Sequence, residues 1–277
     1  MILSGTELSK QILARIKNTI EEEKITPRLV VVQVGNDAAS TIYVNRKTKA
    51  AQSVGIAIET MFFETATTEE LVSAITGLNE RPDVDAILIQ LPLPASIDTQ
   101  TVIESMDPIK DVDGFHPDNI AHYLLGLRDV QPVLLQAISW LLSATHQNFK
   151  GKTAAIVGKS DVFLKPLAYL LALLGMSVHW VKYDELAGEP IPPADVLVVA
   201  LGRPHVIMAR DVKPGATIID IGISRTPDGK IVGDVQFDEV SPIAAWITPT
   251  PGGVGPVTIA ALMWNTLLLA LNKADLS

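Results

Sequence analysis

The chain has 277 residues, of which 48 % are apolar, and this is enough to build the cores of two domains of ordinary size. It contains no cysteine, which excludes disulfide bonds, thiolate metal sites and catalysis by a thiol, and which fits a reducing cytoplasm. The formal net charge of -9 argues against a general nucleic-acid surface, because binding to phosphate backbones requires clustered positive charge.

Apolar runs of strand length alternate with helical patterns through the first half of the chain, which is the signature of parallel βαβ units. The predicted elements, in chain order, are a strand at 29–34, a helix at 38–54, a strand at 56–63, a helix at 68–78 and a buried strand at 86–91. We therefore expect an α/β fold.

A second series follows an irregular stretch at 107–117. It consists of helices around 119–125 and 134–144, strands at 153–157, 177–181, 196–201 and 217–221, and a helix at 257–272. This rhythm is typical of a nucleotide-binding domain with a parallel sheet. The breaker-rich run at 187–193 lies between elements of this series, so we interpret it as a loop and not as a linker.

The sequence does not predict a targeting or membrane segment. Residues 1–10 lack a basic region followed by an apolar core, so we expect no secretory signal. The most apolar windows, 162–174 and 257–271, are interrupted by Lys165 and by Asn265 respectively, and both are shorter than the roughly 20 residues that a membrane span needs. We expect buried helices in a cytoplasmic protein that binds no membrane.

Three polar side chains of the first half are candidates for catalysis. Tyr43 and Lys47 are four residues apart in a predicted helix and project from one face. A lysine that loses solvent acts as a general base or orients water, although a solvated pair has the same spacing. Gln90 ends a predicted buried strand, where open α/β sheets bind ligands, although a strand that simply ends before Pro92 looks the same.

The segment 111–117 offers two carboxylates, Asp111 and Asp113, and the imidazole of His116 in an irregular stretch. Asp-x-Asp is too common to predict a metal site, and no second carboxylate cluster stands near it in sequence. We therefore expect no metal, and a carboxylate that accepts hydrogen bonds from a heterocycle instead.

Two glycine-containing segments are candidates for close approach to a ligand. The predicted strand at 153–157 leads through Gly158 into an apolar helix, which is the layout of a dinucleotide-binding turn, but a full G-x-G-x-x-G fingerprint has three glycines. The run 248–258 holds three prolines and three glycines and predicts a rigid loop with little side-chain bulk. An ordinary turn before the next helix is the alternative for this run.

Taken together and in order, these residues resemble the bifunctional methylenetetrahydrofolate dehydrogenase/methenyltetrahydrofolate cyclohydrolase family. The resemblance spans most of the chain, and the ordered set of motifs is far more specific than any single one. The motifs are Tyr43-x-x-x-Lys47, Gln90-Leu-Pro-Leu-Pro, Lys110-Asp-Val-Asp-Gly-Phe-His-Pro, Asp220-Ile-Gly-Ile, Gly233-Asp-Val and Thr248-Pro-x-Pro-Gly-Gly-Val-Gly-Pro-x-Thr258.

The resemblance implies two domains, an N-terminal folate-holding α/β domain at 1–120 and a C-terminal Rossmann-like NADP domain at 121–277, with a cleft between them. It also implies a homodimer and a last helix, at about 257–272, that packs on the N-terminal domain. The implied reaction transfers a hydride from methylenetetrahydrofolate to the nicotinamide, after which water opens the methenyl cation to 10-formyltetrahydrofolate.

Residue roles follow from the same resemblance. Lys47 is the implied key catalytic group, supported by Tyr43 and Gln90, and Asp113 is the implied partner of the pterin edge. Further implied contacts are the folate wall at Pro251, Gly252 and Gly253, and the cofactor-binding residues Gly158, Lys159, Ser160, Gly222 and Ile223.

The chain departs from the family pattern on the dinucleotide side. Departures stand at Leu134, Leu135, Phe163, Leu164 and Ser224, and Leu164 takes the place of a glycine. If the loop cannot move, this leucine weakens cofactor binding roughly tenfold to a hundredfold. Alternative functions are a cyclohydrolase with weak or lost dehydrogenase activity and a folate-binding or subunit-pairing protein without turnover.

The second dinucleotide strand is followed by side chains of both charges. Lys159 and Lys182 are able to pair with the 2′-phosphate of NADP, whereas Asp184 or Glu185 is able to bind a ribose and to favour NAD. The sequence leaves both cofactors open.

Overall fold

The computed structural model describes residues 1–127, 130–159, 161–186 and 191–274. Helices and parallel strands alternate, as the α/β prediction requires, and this confirms the predicted fold class. Two compact units are present, one formed by Met1–Ser9 with Leu134–Thr258 and the other by Lys10–Val133 with Ile259–Ser277. The predicted boundary at 120/121 stays a prediction.

The first 144 residues contain a three-stranded sheet and the helices α1 to α6. In chain order the elements are α1 (Gly5–Glu23), β1 (Arg28–Val34), α2 (Ala38–Val54), β2 (Ala57–Phe63), α3 (Thr68–Asn79), β3 (Ala86–Ile89), α4 (Thr99–Glu104), α5 (Pro117–Leu124) and α6 (Val133–Ala144).

The remainder contains a five-stranded sheet. Its elements are β4 (Thr153–Gly158), α7 (Asp161–Leu173), β5 (Ser177–Lys182), β6 (Val196–Val199), β7 (Thr217–Asp220), β8 (Ser224–Arg225), β9 (Ile231–Val232), α8 (Phe237–Val240), β10 (Trp246–Ile247) and α9 (Val254–Ala274). Short 3-10 turns cover Pro108–Lys110, Tyr183–Leu186 and Ala209–Asp211.

The smaller sheet has the order β2-β1-β3, and all its pairs are parallel. Val30 and Val32 of the central strand are fully buried and belong to one apolar cluster with Leu71 and Ile75 of α3. Burial of each such side chain contributes roughly 1.5–3 kcal/mol. Core packing therefore fixes the positions of β1 and β3, and with them the residues at their carboxyl ends.

The larger sheet has the order β10-β7-β6-β4-β5 and is also parallel. The chain enters at β4, moves outward to β5, and then returns to the other side of β4 with β6. Such a reversal of direction opens a crevice outside the carboxyl ends of the strands, and open α/β sheets bind ligands there.

The N-terminal residues extend this sheet beyond β10. Leu3 N–H donates to Ile247 O at 2.8 Å, Ile247 N–H donates to Met1 O at 3.0 Å, and Ile2 forms a parallel bridge to Ile247. Residues 1–9 are therefore part of the unit that contains the larger sheet.

Helix α1 is an element that the sequence analysis did not predict. Its buried side chains include Ile16 and Ile20, and Ile12 is half-buried one turn earlier. This spacing of four residues is a helical signal that was available in the sequence. Several predicted bounds differ by two residues or more: β3 ends at Ile89 instead of residue 91, β6 ends at Val199 instead of residue 201, α5 is Pro117–Leu124 instead of 119–125, and α9 is Val254–Ala274 instead of 257–272.

By length and composition alone, helix α9 is able to cross a membrane over Val254–Asn272. However, 61 % of its most apolar stretch is buried inside the protein, and core helices of soluble proteins have the same length and composition. The burial of Val257, Ala260 and Met263 agrees with the prediction of a buried helix.

Candidate active site

Helix α2 fixes the positions of Tyr43 and Lys47. The Asp37 carboxylate caps its first turn by accepting from Ser40 N–H at 2.8 Å, and Gly55 ends the helix with a φ of 90° that favours glycine. Both site side chains are half-buried on this helix. Burial raises the pKa of the Tyr43 phenol, and the nearby Arg46 charge opposes that rise.

Gln90 follows β3 and is oriented by two hydrogen bonds of its own. Its N–H donates to Val32 O at 2.8 Å, and its side-chain Nε2 donates to Leu91 O at 2.7 Å. The side-chain Oε1 therefore faces away from Leu91 and accepts from Lys47 Nζ at 2.9 Å. The structure thus brings together two of the predicted catalytic residues, which are 43 positions apart.

The ammonium group of Lys47 is partly withdrawn from solvent. Removal from solvent lowers the pKa of its ammonium, because the charged form is poorly solvated, and the negative charge of Asp113 partly restores it. A neutral lysine accepts a proton, whereas a charged one only donates hydrogen bonds. Lys47 is therefore hydrogen-bonded to Gln90 and interacts electrostatically with Asp113.

Asp113 is held in a loop that its neighbour Asp111 organises. The Asp111 carboxylate is 1 % exposed and accepts from Gly114 N–H at 3.0 Å and from His116 N–H at 2.8 Å. Burial raises the pKa of Asp113 to about 6, with the Lys47 charge lowering it and the Asp111 charge raising it further. The two carboxylates of the Asp-x-Asp motif therefore differ: Asp111 accepts the backbone hydrogen bonds that shape the loop, whereas Asp113 interacts electrostatically with Lys47.

Lys110 anchors the start of this loop to helix α3. It is 8 % exposed, and its Nζ donates to Leu78 O, Asn79 O and Arg81 O at 3.0, 2.7 and 2.8 Å. These carbonyls belong to the last turn of α3 and the residues after it, where helices lack internal donors. Sequence reasoning missed this role.

Asn265 of helix α9 anchors the same loop at a second point. Its Nδ2 donates to Val112 O at 3.0 Å and to Gln131 O at 2.8 Å. Gly114 completes the loop with a φ of 75°, and a Cβ there would lie 2.8 Å from Pro132 Cα. Among the residues that the structure describes, no group of three or more metal-ligating side chains is present.

Gly222 and Ile223 follow β7, at the carboxyl edge of the larger sheet. A Cβ on Gly222 would stand 2.1 Å from the Asp234 carboxyl carbon, so only glycine fits. Ile223 is 46 % exposed beside it, as an apolar wall for a flat ring requires. At the neighbouring strand ends, Gly158 is buried and Lys159 exposed, whereas Ser160 lies outside the described residues.

Two buried carboxylates hold the loops at this edge. Asp234 accepts from the N–H groups of Leu201, Gly202 and Arg203, and Asp220 accepts from those of Gly222, Asp234 and Val235. Burial raises the pKa of Asp220 to about 6 against those hydrogen bonds. Both residues belong to motifs that the sequence singled out, but their role as loop clamps needed the structure.

The departures from the family pattern lie partly in the interior. Leu164 is fully buried and Leu135 is 4 % exposed. Leu134 is half-buried, and Ser224 pairs with Val232 in the small antiparallel ribbon. The side chain of Phe163 lies outside the described residues. Leu164 is therefore part of the packed interior.

The proline- and glycine-rich run is packed against the first residues of the chain. Thr6 N–H donates to Gly252 O at 3.0 Å, and a Cβ on Gly5 would stand 1.7 Å from Gly253 O. Gly252 has a φ of 105°, and Pro251 is exposed after a cis peptide bond. Residues 248–253 of the run therefore form a loop, as the composition predicted, whereas residues 254–258 belong to the first turn of helix α9, and for them the loop prediction was wrong.

Comparisons with known proteins agree with these features. The family model described as "Tetrahydrofolate dehydrogenase/cyclohydrolase, catalytic domain" matches residues 3–113, and the one described as "Tetrahydrofolate dehydrogenase/cyclohydrolase, NAD(P)-binding domain" matches residues 132–274. The bifunctional protein FolD of Brevibacillus brevis is 44 % identical over 278 residues, which cover 99 % of this chain and 98 % of that protein.

Solved structures give the same result. The bifunctional FolD methylenetetrahydrofolate dehydrogenase/cyclohydrolase of Campylobacter jejuni has a TM-score of 0.91 and 38 % identity, with 99 % of both chains covered. The Trypanosoma brucei enzyme, solved with NADP cofactor and inhibitor, has a TM-score of 0.90 and 30 % identity, with 99 % of this chain and 98 % of that chain covered. The chain belongs to the tetrahydrofolate dehydrogenase/cyclohydrolase family.

Proposed function

We propose that the chain interconverts one-carbon derivatives of tetrahydrofolate. It oxidises 5,10-methylenetetrahydrofolate to 5,10-methenyltetrahydrofolate with NADP, and it hydrolyses the methenyl compound to 10-formyltetrahydrofolate. The observation that carries the proposal is the 2.9 Å hydrogen bond from Lys47 Nζ to Gln90 Oε1, within the segment that the catalytic-domain model matches.

In the hydrolysis, water adds to the carbon that bridges N5 and N10 of the methenyl cation. The bond from that carbon to N5 then breaks, and one proton is released. Lys47 in its neutral form accepts this proton, and Gln90 holds the amine in place through Oε1. A lowered lysine pKa serves this step because a neutral amine does not repel the cationic substrate.

Asp113 is suited to hold the heterocycle of the folate. A carboxyl group whose pKa is about 6 exists in both protonation states near neutrality, so it accepts or donates hydrogen bonds to the pterin edge. Tyr43, on the helix face of Lys47, supplies a phenol donor. We assign the fixed backbone at Pro251, Gly252 and Gly253 to the folate border on the strength of the family resemblance.

The residues of the larger sheet fit a nicotinamide dinucleotide. A bound dinucleotide accepts the hydride that leaves the methylene carbon. Gly222 lets the loop after β7 pack directly against the Asp234 carboxyl group, and Ile223 offers an exposed apolar surface beside it. Asp220 and Asp234 fix the loops on either side through backbone hydrogen bonds.

A cyclohydrolase with weak dehydrogenase activity is the second candidate. The buried Leu135 and Leu164 stand where the family pattern has smaller or polar residues, and the dinucleotide turn has one glycine. In this second candidate Lys47, Gln90 and Asp113 keep their roles in hydrolysis, and only the affinity for the dinucleotide cofactor is reduced.

The decisive experiment follows methenyl absorbance and reduced cofactor in separate assays. Lys47→Met is expected to reduce methenyl hydrolysis at least a hundredfold, because the group that accepts the proton is lost. Lys49→Met is the matched control, since Lys49 is exposed on the same helix, and it is expected to keep full activity. Methenyl decay at the buffer rate in the parent protein would contradict the proposal, and decay without NADP reduction would favour the second candidate.

We further propose a cytoplasmic homodimer, as the family resemblance implies. Trp180 on the edge strand β5 is 49 % exposed, and Leu173 at the end of α7 is 63 % exposed. A second copy would remove this apolar surface from water. Sedimentation equilibrium at micromolar protein measures the mass, and a monomer there would exclude the dimer. Fractionation of cells that produce the protein tests its location.

A further inference from the structure

The carboxyl ends of three neighbouring strands carry charged side chains. In the larger sheet β4 lies between β5 and β6. Lys159 follows β4, Asp184 follows β5, and Arg203 follows β6. The three residues are therefore placed around the point where the strand order reverses, which is where doubly wound sheets hold nucleotides.

Arg203 joins two of these strand ends. Its Nη2 donates to Asp184 Oδ1 at 2.9 Å, and its guanidinium carbon lies 5.3 Å from the centre of the Tyr183 ring. Because β4 lies between the strands that carry the two partners, this ion pair crosses over the end of β4. The Asp234 carboxylate fixes the backbone of Arg203 at 2.8 Å, so the guanidinium starts from a defined position.

Lys159 adds a second positive charge at the same place. Its Nζ lies 3.9 Å from the position that a Cβ on Gly202 would occupy, next to the residue that carries the guanidinium. Two cations and one carboxylate thus share the end of β4. An Arg and a Lys together form an anion site of the type that binds phosphate groups.

The Arg203–Asp184 pair is exposed and therefore exchangeable. Their side chains are 41 % and 74 % exposed. Ion pairs of this kind contribute little to stability and are readily replaced by another anion. A phosphate that binds Arg203 has to displace Asp184 or to remain beside its negative charge.

We propose that Asp184 and Arg203 together set the preference between NADP and NAD in this chain. Arg203, assisted by Lys159, attracts the 2′-phosphate of the adenosine, and Asp184 opposes it by competing for Arg203. Asp184 at the same time offers a carboxylate to unphosphorylated ribose hydroxyls, which is how acidic residues after the second dinucleotide strand select NAD. The inference rests on the dinucleotide site of the proposed function.

Binding of adenosine 2′,5′-bisphosphate and adenosine 5′-monophosphate, measured by calorimetry, tests the inference without turnover. In Asp184→Asn the ratio of bisphosphate to monophosphate affinity is expected to rise at least tenfold, and in Arg203→Met to fall at least tenfold. Asp228→Asn is the control, because Asp228 pairs with Lys230 at 2.9 Å in an exposed turn, and its ratio is expected to stay within twofold of the parent.

Two results would overturn the inference. One is an affinity ratio in Asp184→Asn within twofold of the parent value. The other is a parent protein that binds neither nucleotide at millimolar concentration while it still hydrolyses methenyltetrahydrofolate. Hydrolysis at the buffer rate would instead contradict the proposed function, so the two failures are distinguishable.

Discussion

Replacement of Asp113 by Asn removes a carboxyl group that burial keeps from ionising freely. Its pKa rises from 3.8 to about 6 in the folded protein, which at about 1.36 kcal/mol per unit amounts to a penalty of about 3 kcal/mol on the ionised form. Because the folded value is the higher one, the neutral carboxyl group carries no penalty below the unfolded pKa, and the stability of the protein falls as pH rises from there through about 6.

The asparagine variant lacks this pH dependence. The difference in unfolding free energy between Asp113→Asn and the parent is therefore expected to shift in favour of the variant by about 2 kcal/mol between pH 4 and pH 7. Urea unfolding at several pH values measures it, and the constant effects of the amide cancel in the pH dependence.

Lys47→Met provides the matched comparison. The Lys47 charge lowers the pKa of Asp113, so its removal is expected to raise that pKa further and to make the loss of stability with pH larger. The reasoning is refuted if the difference between Asp113→Asn and the parent stays constant from pH 4 to pH 7.

Two further predictions concern stability and are checked by urea unfolding. Lys110→Met is expected to lower the unfolding free energy by about 3 kcal/mol, because three backbone carbonyls lose a charged hydrogen-bond donor. The control Lys17→Met, at an exposed lysine, is expected to change the unfolding free energy by less than about 0.5 kcal/mol. Equal effects of the two substitutions would contradict the anchor role of Lys110. Gly77→Ala is expected to stabilise the protein by about 0.5–1 kcal/mol, because the added Cβ lies in open space on helix α3. Gly222→Ala is expected to destabilise the protein by more than about 2 kcal/mol, because its Cβ would meet the Asp234 carboxyl group. Changes of the same sign would contradict the packing argument.

Hydrophobic pattern and turn residues predicted most of the elements that form the sheets. Helix α2 has the predicted bounds of 38–54, because an N-cap aspartate and a C-terminal glycine mark both ends. Strand β3 was predicted two residues too long, since an apolar run continues past the last paired residue. Helix α1 was missed because its few apolar residues are spread among charged ones.

The candidate site was predictable only in part. Helix spacing and strand position singled out Lys47 and Gln90 separately, and only the family resemblance implied that the two act together, as their hydrogen bond now allows. The division of roles between Asp111 and Asp113 was not predictable, because it depends on which carboxylate meets the backbone N–H groups of its own loop. The same holds for Arg203, whose partner lies 19 residues away across a sheet.

The division of the chain into two units has a consequence for biosynthesis. Residues 1–9 are translated before the rest of the unit that they complete, which extends to Thr258, and the other unit takes in residues from Ile259 onward. Neither unit is complete when the first half of the chain has been translated. The unit with the larger sheet therefore stays unfinished until residue 258 has been translated, and a fragment of residues 10–133 would lack the Asn265 side chain that donates to Val112 O and Gln131 O.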